Sequence, residues 1–407
     1  MKTKQIVIGL LVVLLAAGGL VAFKEWQTKK AIQAEKDSHV KIISSVPMRG
    51  MTVGQGMYNG ADMAFAEVGY KAGKFTIEFI PKDDGDADGK WQKDLEQKIA
   101  EDAVADLDVV VYMGTYNSGA AKVSIPITNA AGLAQVSAAN TWPGLTQVGY
   151  LPGEPGIFYP TGKRTYFRTC PTDAMQGPAA ALWMKELGAQ NVYIVDDSDV
   201  YGKGVAGIVE KKANEIGLKV LARKSISGKV EELSKIAEVV KDIKKQKPDF
   251  IYYGGITPNG IIPFIKELRA TGDKTKLMGP DGLLEEAYLL QAGKDAEGTY
   301  ITSGGLPPSA MTGEGATFVA KYKAKYGVEP DNYGIYSYEA AKVVIAALER
   351  VAKKDRALIV DEIAKTQNYP GFFGIWKFDE NGDTTQTSTA GNIVENGKFK
   401  FTGLIGK

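Results

Sequence analysis

Apolar positions along this chain recur with two different periods. Short apolar or alternating runs stand at His39–Ser45, Phe75–Ile80, Val109–Met113 and Leu133–Val136, with segments of helical spacing between them. The clearest helical segment carries Met57, Ala61, Ala64, Phe65 and Val68 on one face. Val109–Met113 is rich in β-branched residues and has the pattern of a buried parallel strand. An extended piece, Thr165–Cys170, closes this set, and Pro171 stops it. A second set follows: strands at Asn191–Val195, Lys219–Ala222, Asp249–Tyr253, Lys276–Gly279 and Gly298–Ser303. Helices over 176–187, 204–216, 231–245 and 261–270 separate those strands. Helices at 317–326 and 338–353 come next, with a short one near Ile359. A strand at Gly374–Phe378, a turn at Asp379–Asp383 and a short strand near Asn392 follow. Two such runs of alternating strand and helix predict an α/β protein with two doubly wound parallel sheets and right-handed connections.

The stretch from Val109 to Thr146 carries the most chemistry. Its strand leads into Gly114-Thr-Tyr-Asn-Ser-Gly119, small and polar, at the start of a helical segment. The free N–H groups of a helix start attract an anion. The bland alternative is ordinary capping by Asn117 or Ser118. The next strand ends in Ser137, Asn140 and Thr141. Open α/β sheets bind ligands at the carboxyl ends of neighbouring strands. The acidic run Asp83–Gly89 places Asp84, Asp86, Asp88 and Gly89 at positions 1, 3, 5 and 6 of a calcium loop. Position 12 is Leu95 instead of a bidentate Glu. The run reads better as a turn whose last Asp, Asp88, caps a helix over 91–105.

Composition narrows the function. The 407 residues carry a net charge of +1, which argues against a nucleic-acid binder. A single Cys, Cys170, permits no internal disulfide, and a buried inert thiol is expected. With one His, His39, neither a zinc site nor a nucleophile–base pair is in view, so no catalytic and no metal-binding residue is assigned. A nucleotide-binding enzyme would need a Gly-rich fingerprint after the first strand. Ser44–Gly50 does not supply one, and Gly114–Gly119 is followed by two alanines, where a phosphate loop has Lys-Ser/Thr. At the N-terminus Lys2 and Lys4 precede an uncharged run, Ile6–Phe23, with the form of a cleaved secretory signal or an uncleaved anchor. Either places the body of the protein outside the cytoplasmic membrane. Residues 1–23 are read as that signal or anchor and 24–38 as a spacer.

Eight short segments in order resemble one family. They are Asn59–Ala61, Gly114–Gly119, Ser137–Thr141, Arg168-Thr169 with Gln176-Gly177, Asp196–Gly204, Asp249–Gly255, Met278–Gly282 and Phe378–Asp383. Together they resemble the type 1 periplasmic binding proteins of ABC transporters, in particular the branched-chain amino acid-binding group. The resemblance implies two α/β lobes joined by three crossovers, with lobe 1 over 39–172 plus 303–372 and lobe 2 over 173–302 plus 373–407. It implies a monomer without cofactor that closes on an amino acid or similar small polar ligand and delivers it to a permease in the cytoplasmic membrane. A sensory ligand-binding domain on the same fold is the alternative. By the same resemblance, Ser118, Thr141 and the backbone of Ala139 hold a ligand carboxylate. Asp281 and Asp173 hold its ammonium, and Tyr201 covers it. The chain departs from the family pattern at Val53 and Ile256, where relatives often carry aromatics, and at Asp281, where Glu is usual. The loop Leu151–Arg164 is also longer than usual.

Overall fold

The computed structural model describes residues 24–30, 33, 35–229 and 232–406. The apolar run 6–23, read above as a signal or anchor, lies outside the described residues. Among the described residues no helix is long and apolar enough to cross a membrane. Residues 24–30, in the expected spacer, are helical and exposed.

Two sheets form the frame. The first contains β1 (His39–Ser45), β2 (Lys71–Ala72), β3 (Phe75–Lys82), β4 (Val109–Gly114), β5 (Ala134–Ser137) and β6 (Tyr166–Arg168). Its spatial order is β2-β3-β1-β4-β5-β6. All neighbours run parallel except the short edge pair β2–β3. The helices α1 (Thr52–Glu67), α2 (Lys93–Ala105) and α3 (Ser118–Ala130) connect its strands. Val109–Met113 is buried throughout, as expected of a central strand covered on both faces.

The chain then crosses over at residues 169–172 into α4 (Asp173–Glu186). The second sheet holds β7 (Asn191–Asp196), β8 (Lys219–Ser225), β9 (Phe250–Gly254), β10 (Lys276–Gly279) and β11 (Tyr300–Gly304). Between them lie α5 (Val200–Glu215), α6 (Leu233–Gln246), α7 (Ile261–Ala270) and α8 (Glu286–Ala292). After β11 the chain returns to the first half through α9 (Gly313–Tyr326), α10 (Asn332–Arg350), α11 (Arg356–Ala364) and the small hairpin β12 (Tyr369–Gly371) and β13 (Gly374–Trp376). It crosses a third time into β14 (Thr389–Glu395) and β15 (Lys398–Ile405). These add antiparallel to β11, giving the order β15-β14-β11-β10-β9-β7-β8. The fold class is therefore the two-lobed, three-crossover α/β architecture anticipated above, with mixed rather than purely parallel sheets.

Local chemistry explains several of these placements. Helices α1 and α10 cross where side chains are absent: a Cβ on Gly60 would lie 2.0 Å from the Gly334 carbonyl oxygen. That contact lets α10 join the first core, where Ala340, Val344 and Leu348 pack on Phe65 and Ala64. Residues 373–388, assigned by sequence to the second lobe, stay with the first. Trp376 and Phe378 belong to the first core, and Asp383 pairs with Arg168 (Nε–Oδ1 2.6 Å) in full burial. Arg168 also donates to the carbonyls of Asn140 (3.0 Å) and Trp142 (2.8 Å), so one guanidinium ties β6, the β5 loop and the return segment together. The acidic run 83–89 is a turn organised by Asp86, whose carboxylate accepts the N–H groups of Asp88 and Lys90 (both 3.0 Å). Helix α2 starts later than expected, at Lys93, and no side chain caps it, so Asp88 does not have the capping role assigned to it.

Candidate ligand-binding site

The site begins where β4 and β5 end. Between β4 and α3, Thr115, Tyr116 and Asn117 are buried. The β5 loop clamps this backbone. Asn140 Nδ2 donates to the carbonyls of Thr115 and Tyr116 (both 2.9 Å), and Ser137 Oγ donates to the Thr115 carbonyl (2.9 Å). Ser137 Oγ in turn accepts the N–H of Ala139 (3.1 Å), so that N–H, expected to face a ligand carboxylate, is already engaged. No side chain caps α3: Asn117 makes no capping bond, and Ser118 Oγ accepts the Trp142 N–H (3.3 Å). The first main-chain bond of the helix is Ala121 N–H to Asn117 (3.1 Å). The N–H groups of Ser118, Gly119 and Ala120 precede it, so the positive end of α3 stays available to an anion.

Ser118, Ala139, Thr141 and Tyr201, all expected site residues, line one cavity of about 10 Å3 together with Tyr116, Ile256 and Tyr333. The volume suits little more than a water molecule. The lobes are in contact around it: Trp91 Nε1 donates to Asp199 Oδ2 (2.9 Å), joining the α2 approach to the cap of α5.

Asp281 lies on the loop after β10. Its carboxylate accepts three donors, from Gln176 Nε2 (2.7 Å), Tyr201 and Tyr333. Burial and nearby carboxylate charge raise both tyrosines far above the ordinary phenol value, which keeps them as donors. Asp281 and Thr141 also line a cavity of about 20 Å3 where all three crossovers meet. Pro171, Ser303, Gly304 and Thr389 are among the residues of its wall, as are Gln176 and Tyr333.

Asp173 is placed differently from the other expected site residues. It is fully buried as the first residue of α4, and its N–H is bonded to the Thr141 carbonyl (2.9 Å). Its carboxylate neighbours the Thr141 hydroxyl and lines neither cavity. Burial and the charge of Asp281 push its carboxyl well above the usual range. Cys170 is buried, with its thiol also raised by burial.

Sequence reasoning missed Tyr333, Tyr116 and Gln176 as site residues. Tyr333 sits in the first turn of α10, about 50 positions beyond Asp281, and no local motif marks it. Gln176 stood in a segment that carried the resemblance but had no role.

A periplasmic binding protein family model matches residues 40–398. The chain belongs to the periplasmic binding protein family. It is 28% identical over 348 residues to Leu/Ile/Val-binding protein homolog 1 of Brucella melitensis, covering 83% of this chain and 85% of the relative. It is also 28% identical over 269 residues to the Leu/Ile/Val-binding protein of Escherichia coli K12, covering 66% and 67%. Among solved structures, a leucine-binding protein of Thermotoga maritima superposes with a TM-score of 0.78 at 28% identity, over 90% of this chain and 98% of that one. A branched-chain amino acid transporter substrate-binding protein of Streptococcus pneumoniae in complex with isoleucine shares the fold, with a TM-score of 0.76 at 22% identity, over 90% and 99%. A solute-binding protein of Rhodopseudomonas palustris in complex with benzoate shares it as well, at 0.75 and 20%, over 90% and 96%.

Proposed function

We propose that this protein is the extracytoplasmic solute-binding component of an ABC transporter, and that it captures an α-amino acid by lobe closure. The observation that carries this reading is two ends of opposite polarity joined through shared residues. One is the uncapped start of α3, where Ser118 lines a cavity with Thr141, Tyr201 and Tyr333; the other is the carboxylate of Asp281, which accepts from the same two tyrosines. A zwitterion matches that polarity, its carboxylate on N–H and hydroxyl donors and its ammonium on a charge-assisted bond. Thr141 lines both inner cavities, which suits a residue that meets the ligand. Tyr201 and Tyr333 cover the site from opposite lobes.

In this reading the closing halves are 39–172 with 303–388, and 173–302 with 389–406. Closure works because a ligand that touches both halves binds the closed form better than the open one. Residues 1–23 would export or tether the chain, and a membrane permease would receive the ligand from the monomeric, closed protein. No side chain here is assigned to catalysis.

Isothermal titration calorimetry of residues 24–407 against a panel of amino acids tests the proposal, with the branched-chain amino acids named for the relatives as the first ligands. Saturable one-to-one binding of an α-amino acid, lost on removal of its carboxylate or its amine, is the expected result. Binding to none of them would defeat the assignment.

A further inference from the structure

A third cavity, with a volume of about 320 Å3, lies between the two lobes. One wall comes from the first lobe, at Gly50, Met51 and Ala87–Lys90; the other comes from the second, at Thr257, Pro258, Glu285 and Gln291. Glu285 is the unusual member. It is 8% exposed, and among the described residues only the Thr257 hydroxyl stands as a donor to it, which leaves most of its acceptor capacity unfilled. It precedes α8 without capping it. The Thr257 hydroxyl is shared with the Gly282 carbonyl (3.5 Å). A buried carboxylate short of donors costs several kcal/mol, so such a group is expected to have a partner in the working state.

This cavity adjoins the inner one. Ile256 lines the inner cavity and Thr257 the outer, so one residue, about 4 Å of chain, separates them. Gly282, three residues before Glu285, packs on both Ile256 and Tyr201. A Cβ there would fall 2.8 Å from Ile256 Cγ2 and 3.2 Å from Tyr201 Cε1. Tyr116 of the inner cavity feels the charge of Glu285 more than that of any other carboxylate, so a side chain that runs outward past Tyr116 and Ile256 heads toward Glu285.

We propose that Glu285 sets the ligand's side-chain class, selecting an amino acid whose side chain ends in a planar N–H fork, a guanidinium or a primary amide. The two carboxylate oxygens match two parallel N–H donors of a guanidinium, whereas a primary amide, whose N–H bonds diverge, reaches one of them. An aliphatic side chain would leave both oxygens buried and short of donors. Burial also lifts the Glu285 carboxyl to about 7, the direction a missing partner produces. Other charged groups face the same space. Asp88 and Lys90 line the cavity, and Asp331 adds its negative charge nearby. Lys90 forms no ion pair among the described residues and is the protein's own rival for Glu285.

The inference rests on the amino acid reading above and is tested separately from it. Wild-type protein, Glu285→Gln, Glu285→Leu and Lys90→Met are titrated calorimetrically with arginine, glutamine and leucine. Arginine or glutamine should bind at least 10-fold more tightly than leucine, which tells guanidinium from amide. Glu285→Leu should weaken the preferred ligand at least 10-fold while leaucine binding holds or improves. Glu285→Gln should keep more of the glutamine affinity than of the arginine affinity, and its melting curve shows whether the fold is intact. Leucine binding as tightly as the others, with its ranking unchanged in Glu285→Leu, overturns the specificity role and leaves the amino acid reading standing. A loss of thermal stability in Glu285→Leu matched by Lys90→Met, with ligand ranking unchanged, makes Glu285 a closing partner of Lys90 and also overturns it. If no amino acid binds, both readings fall together.

Discussion

Tyr333 donates its hydroxyl proton to Asp281, and that hydrogen bond joins the first turn of α10 to the loop after β10 across the cleft. Asp281 is the group proposed to take the ligand ammonium, so Tyr333 and the ligand share one acceptor. Tyr333→Phe removes the bond without removing the ring that packs edge-on against Tyr116 at 5.4 Å. A hydrogen bond to a charged group contributes about 1.5–3 kcal/mol. The ligand-free variant should shift toward the open form by a corresponding factor of about 10 to 150. Small-angle scattering should show a larger radius of gyration without ligand and an unchanged one with it. Identical ligand-free profiles for the two proteins would remove Tyr333 from the closure.

Ser118 and Asp281 stand at opposite ends of the proposed ligand. Ser118→Ala and Asp281→Ala should each weaken amino acid binding by about 1.5–3 kcal/mol, the scale for hydrogen bonds to charged groups. Asp281→Ala also strips an acceptor from Gln176, Tyr201 and Tyr333, so its effect should be the larger. Calorimetry reads both, and wild-type affinity in either variant would exclude that residue from the site.

Arg168 and Asp383 form a buried ion pair between β6 and the return segment. Thr146 Oγ1 (2.9 Å) and Gln147 Nε2 (2.8 Å) add further bonds to the same carboxylate. Removing one partner leaves an uncompensated buried charge, at a cost of about 3–5 kcal/mol. Asp383→Ala should therefore lower the urea midpoint sharply, while Arg168→Met combined with Asp383→Leu should recover part of the loss. An additive double variant would show that the pair is not coupled.

Much of this fold was legible because central strands announce themselves. Val109–Met113 is apolar and β-branched because both its faces are covered, and its burial follows. Ser118, Ala139, Thr141 and Tyr201 were expected to meet through the family resemblance and do line one cavity; for Ser118 and Thr141 the small polar residues at strand ends gave a local signal as well. Tyr333 carries none: its position depends on how α10 packs on α1 through Gly60 and Gly334, a long-range contact. Residues 373–388 were misassigned for the same reason, since the Arg168–Asp383 pair spans 215 positions. The strand β15 went unseen although its signal was present. Asn396-Gly397, both with positive φ, make the turn of a β14–β15 hairpin, and Lys398–Ile405 alternates exposed and half-buried residues.

The remaining prediction concerns pH. Asp84 is fully buried at the end of β3, and its carboxylate has no hydrogen-bond partner. Its charged neighbours are also acidic: Asp83 precedes it, and Glu96 faces it from α2. Glu96 accepts from Ser45 Oγ (2.6 Å) and Tyr112 (2.8 Å), which leaves neither donor for Asp84. Burial first, then the charge of Asp83, lift the Asp84 carboxyl from 3.8 to about 7. The folded protein thus holds this proton to higher pH than the unfolded chain does. Where the native state binds more protons, stability falls as pH rises. The loss runs from about pH 4, where the unfolded carboxyl ionises, to about pH 7, and is complete above it. Asp197, Glu285 and Glu339, each raised to about 7, carry the same sign. Asp62, Asp83 and Asp106 are lowered and act oppositely, losing their contribution below about pH 4. Wild-type protein should accordingly melt at a higher temperature near pH 5 than at pH 8. Asp84→Asn removes one of the raised acids, so its melting temperature should gain on wild type as pH climbs from 5 to 8. Thermal melts at closely spaced pH values give the comparison, and two curves that stay parallel over that window would show that Asp84 does not titrate between them.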